Sequence, residues 1–345
     1  MPILDKNTDY FGLDIGTTGV RLVQLKPGSS APSLVTYGAK PTPADLASSD
    51  SEVDKNKLAD IIKQLKSEAK ISADQVVTAL PSQHTFTTVI NTPKLNNKEL
   101  EKSINLQADQ YVPMKVEDAK LDWHVIDPDK GENEMSVLLV AAPKNVVNKY
   151  LSVVEKADLN LLALEINALA LARSVVSTGD LPVVVVDLGS TSSEITIISG
   201  RVPHLVRSVD IGGNTLVRSV EQNLNVDTEQ AQQFLQKFGV TQTKLEGQVL
   251  KAIQGSLDNL MNEISKSVKY FTSQNQEAQV EKAILTGGPT ALPEMPSYAA
   301  NSLNLPVEIA NPWVNVSYPA TQQETLMNQS LHFAVAVGLA QRSFV

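Results

Sequence analysis

The sequence predicts an α/β protein made of two duplicated halves, with an α+β unit inserted in the first. Three observations predict it. "LDIGTTGVRLV" near the N-terminus and "VDLGSTSSEIT" about 173 residues later both read apolar, Asp, apolar, Gly, Ser/Thr, Thr between apolar runs. A third stretch, "AILTGGPTALP", places Gly287 and Gly288 directly after another apolar run. Between the first two, from Thr85 to Leu162, strand and helix patterns alternate without any such motif.

Element by element, Phe11 to Leu25 reads as strand, tight turn, strand, and "SLVTYGA" as a further strand. "KNKLADIIKQLKSEAK" carries Leu58, Ile61, Ile62 and Leu65 at helical spacing, and "QVVTAL" is a buried strand ended by Pro81. "TFTTVINTP" alternates as a strand, and Asn97 to Tyr111 is a helix stopping before Pro113. "LDWHVID" and "EMSVLLVAAP" are strands flanking the turn "PDKGEN", and Asn145 to Lys156 is a helix. Glu165 to Val176 reads as a buried helix leading through "STGDLP" into the second motif. Thr228 to Lys237 and Gln248 to Thr272 are long helices, and Leu331 to Arg342 is a helix that ends the fold.

Composition excludes several classes. At 345 residues and 42% hydrophobic, the chain suits two sizeable cores rather than one. No apolar run approaches the about 20 residues a membrane helix needs, and "MPILDKNTDY" lacks the basic and apolar regions of a signal peptide. Without cysteine there are no disulfides or thiolate metal sites, which fits a reducing cytosol. A net charge of −9 argues against a broad nucleic-acid face, which works by neutralising phosphates. His84, His124, His204 and His332 share no ligand spacing, so a metal held by side chains alone is not expected.

The duplicated motif has a chemical reading. Gly16, Thr17, Thr18 and Gly19 in one hairpin, and Gly189, Ser190, Thr191 and Ser192 in the other, allow backbone N–H groups and hydroxyls to close around phosphate oxygens. Asp14 and Asp187, at the strand ends, would be repelled by phosphate. They suit the water shell of a Mg²⁺ ion bridging those oxygens. Two such hairpins facing each other would clamp a triphosphate, and Gly287 and Gly288 would let backbone approach a flat base and its ribose.

This order of motifs resembles the actin/Hsp70/hexokinase ATPase superfamily. The resemblance implies an actin-like ATPase fold of two ribonuclease-H-like domains, with ATP and Mg²⁺ as cofactors. It implies that Glu165, in "EINALALARS", lies on an inter-domain helix and faces the attacking water as the catalytic residue. It places Glu263 and Lys266, in "EISKSVKYF", at the ribose and base, and Arg21 where many relatives carry a phosphate-contacting Lys.

The insertion, with "NNKELEKSINLQADQYVP" and "MSVLLVAAP", resembles the PilM family of type IV pilus assembly and, more distantly, the division protein FtsA. "IGGNTLV", which brings Gly213 to the nucleotide, and "AVGLAQRSF" fit that family too, whereas Asp158 and Asn160 depart from its usual Gly. The implied subdomains are 9–84 with 163–180 and 325–345; an inserted 85–162 for partner binding; 181–218 with 281–324; and 219–280.

The function so implied is a cytoplasmic ATP-binding scaffold of twitching-motility pili with at most slow ATPase activity. It would hold the N-terminal cytoplasmic peptide of a PilN-like membrane protein at the inner face of the cytoplasmic membrane. A pilus assembly ATPase and self-association are further partners within its scope; nucleic acid and direct membrane insertion are not. The alternatives are a platform protein of type II secretion or DNA uptake, an FtsA-like division protein, and a sugar or acetate kinase. FtsA-like proteins end in a membrane-binding helix for which "LAQRSFV" leaves no room. A kinase would need a catalytic base beside the first hairpin, where no second Asp stands.

Overall fold

The computed structural model describes residues 8–344 apart from 44, 131–132, 178 and 276–277. The first seven residues of the N-terminal stretch, the middle of the turn "PDKGEN", part of "STGDLP" and the closing Val345 lie outside the described residues. The first lobe opens with β1 (Phe11–Ile15), β2 (Gly19–Lys26), β3 (Ser33–Pro41), α1 (Glu52–Glu68) and β4 (Gln75–Leu80). Ser51 caps α1 by accepting from the Asp54 amide at 3.1 Å, and Leu58, Ile62 and Leu65 face the core at helical spacing. A 3-10 turn, Ser82–His84, leads into β5 (Phe86–Pro93), α2 (Asn97–Tyr111), β6 (Ala119–Asp127) and β7 (Glu134–Pro143). The chain leaves the insertion through α3 (Lys144–Lys156), β8 (Asn160–Ile166) and α4 (Asn167–Val175).

The second lobe begins with β9 (Val183–Leu188), β10 (Ser193–Ser199) and β11 (Val202–Val209). Then come α5 (Gly213–Leu224), α6 (Thr228–Phe238), α7 (Gln248–Gln274), β12 (Lys282–Thr286), α8 (Met295–Leu303) and β13 (Val307–Ile309), and α9 (Gln323–Ala340) returns to the first lobe. The two large sheets run β3-β2-β1-β4-β8 and β11-β10-β9-β12-β13. In each, three antiparallel strands are followed by two parallel ones, so one topology occurs twice.

Helices form layers around these sheets. α1 and α3 cover the outer face of the first sheet, where Phe11, Leu13 and Ile15 meet Leu58, Ile62 and Val153. α5 and α7 cover the outer face of the second, where Val184 and Val186 meet Val220 and Ile253. α4 and α9 lie between the sheets, joining Val77 and Ala79 to Val183 and Val185 through Leu171, Val335 and Leu339. Because side chains alternate along a strand, Asp14 and Asp187 fall on these inner faces, at the strand ends.

Two sequence expectations are corrected. Glu165 lies on β8, opposite Ala79 of β4, and the helix starts only at Asn167. Leu, Ala and Glu favour a helix, but "NLLALEI" pairs in parallel with β4 at the edge of the first sheet, and that pairing overrides propensity. The inserted unit also ends sooner than residue 162. Its own core joins Leu100 and Ile104 of α2 to Val137 and Leu139 of β7. Tyr150, Val153 and Val154 of α3 instead join the first-lobe core, and β8 belongs to the first sheet.

The middle layer is packed too closely for side chains at two points. A Cβ on Gly338 of α9 would lie 1.9 Å from the Ala170 carbonyl oxygen of α4. One on Gly12 of β1 would lie 2.4 Å from the Ala336 oxygen of α9. Gly338→Ala is expected to cost about 3 kcal/mol or more of stability, because backbone must move to admit it. A denaturation midpoint equal to that of the wild-type protein would contradict this packing.

Candidate functional site

The first hairpin joins β1 to β2 across a turn closed by the Gly16 amide donating to the Gly19 carbonyl at 3.0 Å. Asp14 sits opposite Arg21 in the strand register, and the Arg21 guanidinium approaches its carboxylate at 3.5 Å and the Gly19 carbonyl at 3.3 Å. Thr17 and Thr18 are exposed at the tip. The second hairpin repeats this geometry, with the Gly189 amide donating to the Ser192 carbonyl at 3.0 Å. The start of α5 docks on it: the Gly213 amide donates to the Gly189 carbonyl at 3.0 Å and the Asn214 amide to that of Ser190 at 2.8 Å.

The glycine pair after β12 closes the same site. Gly287, at φ +87°, fits where a Cβ would lie 2.7 Å from the Asp187 carboxylate, and a Cβ on Gly288 would meet His332 at 3.4 Å. The hairpins touch across the cleft, the Thr17 and Ser190 hydroxyls standing 2.5 Å apart. Behind that contact the carboxylates share one electrostatic environment. Burial, then Glu194, then Asp14 push Asp187 up to about 7, against the pull of Arg21. Burial also raises Asp14, although Arg21 opposes it.

Glu194 is the residue the sequence reading missed. It lies seven positions past Asp187, as Arg21 lies seven past Asp14, and is paired opposite Asp187 in the sheet. The duplicated position therefore carries opposite charges in the two halves. The first Asp is neutralised by its neighbour, whereas the second is repelled by its own. Glu194 is buried, accepting from Thr196 Oγ1 at 2.9 Å and from Ser82 Oγ. Comparing the two motifs position by position would have found it.

Such a set suits a cation. Asp187, for which no guanidinium ion pair occurs among the described residues, stands beside a glycine turn that a Cβ would fill, so Mg²⁺ with phosphate fits the residues present. Among the described residues no group of three or more His, Asp or Glu side chains is arranged to hold a metal by itself.

Glu165 does not reach this site. Its carboxylate has no exposed surface, and each oxygen is taken by a guanidinium, Arg173 of α4 on one and Arg342 just past α9 on the other. The expectation that it faces an attacking water is corrected: the residue fastens the middle layer. Glu263 and Lys266 pair with each other at 2.7 Å, and Glu263 pairs with Arg207 of β11 at 3.1 Å. Those ion pairs run along the helix and to the edge of the sheet rather than to either hairpin.

Residues 12–344 match the family described as type IV pilus assembly protein PilM. The chain belongs to that family. It superposes with TM-score 0.83 and 26% identity on a structure described as the PilM-PilN type IV pilus biogenesis complex, covering 98% of this chain and 99% of that one. MreB5 of Spiroplasma citri bound to ADP aligns with TM-score 0.52 and 13% identity over 96% of this chain and 95% of its own, a likeness of fold. Cell division protein FtsA of Bacillus subtilis (strain 168) is 21% identical over 202 residues, 52% of this chain. The match spans about half of FtsA, 45% of its length. The fold is thus actin-like, and the chain is a scaffold of the pilus assembly family. Among the described residues no helix is long and apolar enough to cross a membrane.

Two measurements test the site. Glu165→Ala leaves two largely buried guanidiniums without their carboxylate and is expected to cost about 3–5 kcal/mol in chemical denaturation. A loss under about 1 kcal/mol would refute the fastening role. Asp187 ionises near 3.8 when unfolded and near 7 when folded. As pH rises between those values the unfolded chain has already released a proton that the folded protein keeps, so stability falls and then levels off. Asp187→Asn without ligand should therefore melt above the wild-type protein at pH 8, the gap closing towards pH 4. A gap independent of pH would contradict the shift.

Proposed function

We propose that the chain is an ATP- and Mg²⁺-binding actin-like scaffold of the pilus inner-membrane platform, which clasps the N-terminal cytoplasmic peptide of a PilN-like membrane protein. The contact between the two hairpins, with Asp14 and Asp187 behind it, is the observation that carries the nucleotide reading. Gly16, Thr17, Thr18, Gly19 and Arg21 would hold phosphate from one side, and Gly189, Ser190, Thr191, Ser192 and Gly213 from the other. Gly287 and Gly288 would border the ribose and base. Mg²⁺, when bound, would neutralise phosphate charge beside Asp187 and Asp14. Supporting this, ADP is bound in MreB5, a protein of the same fold.

With Glu165 committed to two arginines, nucleotide serves mainly as a clamp that holds the lobes together. The peptide reading rests on family membership and on the relative solved as a PilM-PilN complex. The inserted unit carries none of the phosphate-binding residues, so a partner surface gives it a use. An extended peptide there would gain backbone hydrogen bonds and a few apolar anchors, for a micromolar affinity of about −8 kcal/mol. The site lies at the inner face of the cytoplasmic membrane through that partner.

Calorimetry tests both parts. Asp14→Ala and Asp187→Ala are each expected to weaken Mg·ATP binding at least about tenfold, while leaving a PilN-like peptide bound to the protein. Unchanged ATP affinity in both variants would end the nucleotide reading, and no peptide binding to the wild-type protein would end the partner reading.

A further inference from the structure

The 3-10 turn Ser82–His84, which leads from β4 into the inserted unit, also docks on the second lobe. The Ser82 hydroxyl donates to the Glu194 carboxylate, and both residues are buried, each 7% exposed. Beside it the Gln83 side-chain amide donates to Asp210 at 3.1 Å. Glu194 is the neighbour of Asp187 in the sheet, and its other oxygen is held by Thr196 within its own lobe. The oxygen facing Ser82 is therefore satisfied from across the cleft. If the lobes part, that oxygen loses its protein donor.

We infer that Ser82 is a positioning residue: its hydrogen bond to Glu194 latches the lobes closed and ties the seat of the inserted unit to the carboxylate pair of the nucleotide site. The nucleotide half of this statement rests on the proposed function; the latch itself does not. Its position sets the direction of coupling. Ser82 stands two residues past the end of β4, which runs beside the Asp14 strand, and four residues before the first residue of β5. A shift of the inserted unit, such as one caused by a bound peptide, therefore pulls on the group that orients Glu194. Nucleotide bound at Asp187 in turn holds the inserted unit in one place.

The absence of cysteine allows a direct test. Spin labels are attached at Lys120→Cys on β6 and Gln236→Cys on α6, both exposed sites, one on each side of the latch. Distance distributions are measured by pulsed electron paramagnetic resonance without nucleotide and with Mg·AMPPNP, in the wild-type, Ser82→Ala and Ser82→Thr backgrounds. The expected result is a single narrow distribution for wild type, a broadened or longer one for Ser82→Ala without nucleotide, and recovery in Ser82→Thr, which keeps the hydroxyl. Mg·AMPPNP affinity should fall at least about fivefold in Ser82→Ala and return in Ser82→Thr. An unchanged distribution in Ser82→Ala overturns the latch, whatever happens to affinity, and so does failure of Ser82→Thr to restore it when its melting temperature equals that of wild type. If wild type does not bind Mg·AMPPNP yet Ser82→Ala still broadens the distribution, the nucleotide reading fails and the latch stands.

Discussion

A carboxylate with no exposed surface, that of Glu165, accepts from Arg173 on one oxygen and Arg342 on the other. Those arginines belong to α4 and to the turn just past α9, so one side chain on β8 fastens both helices of the middle layer to the first sheet. Around it, Tyr10 donates its hydroxyl to the Ala340 carbonyl at 2.8 Å, and Arg173 reaches the Gly338 carbonyl at 2.8 Å. The helices cross where Gly338 removes a side chain. A buried ion pair gains little over an apolar substitute, but it specifies one arrangement, because breaking it strands a charge. Each sheet takes its position from this layer, and the cleft between the sheets inherits its width from it.

That layer explains why the two hairpins meet. Each is a short-range structure made by glycines, hydroxyls and one backbone hydrogen bond across the turn. Neither alone would be a site. Stacking the inner faces of the two sheets on α4 and α9 brings the hairpin tips into contact and sets Asp14 and Asp187 in one field. Duplication supplied the symmetry, and the Arg21–Glu194 difference broke it. Asp14 faces a guanidinium across its hairpin, whereas Asp187 faces a second carboxylate across its own.

The inserted unit stands in a defined relation to this site. Its entry, at Ser82 and Gln83, contacts Glu194 and Asp210 of the second lobe, and its exit helix α3 buries Tyr150 in the first-lobe core close enough to feel Asp14. Both connections pass by the carboxylates. A unit tethered in this way cannot rotate freely without disturbing one of them. Short covalent paths, rather than a long chain of side chains, thus link the inserted unit to the cleft.

The sequence alone determined the duplicated hairpins, the glycine pair after β12, the long helices of the second lobe and the presence of an insertion. All of these are written in local patterns: turn chemistry over four or five residues, and apolar period over a dozen. Tertiary structure alone decided the role of Glu165, which the run "EINALALARS" made look helical. Its strand pairing is with β4, and its second partner, Arg342, lies 177 positions away. The same holds for Ser82, whose acceptor is 112 positions away, and for α3, whose apolar face fits either the inserted unit or the first lobe equally well as a pattern. Periodicity says that a face will be buried and not against what. The identity of the covering surface is a long-range choice, made by whichever packing leaves no buried charge unpaired and no cavity unfilled.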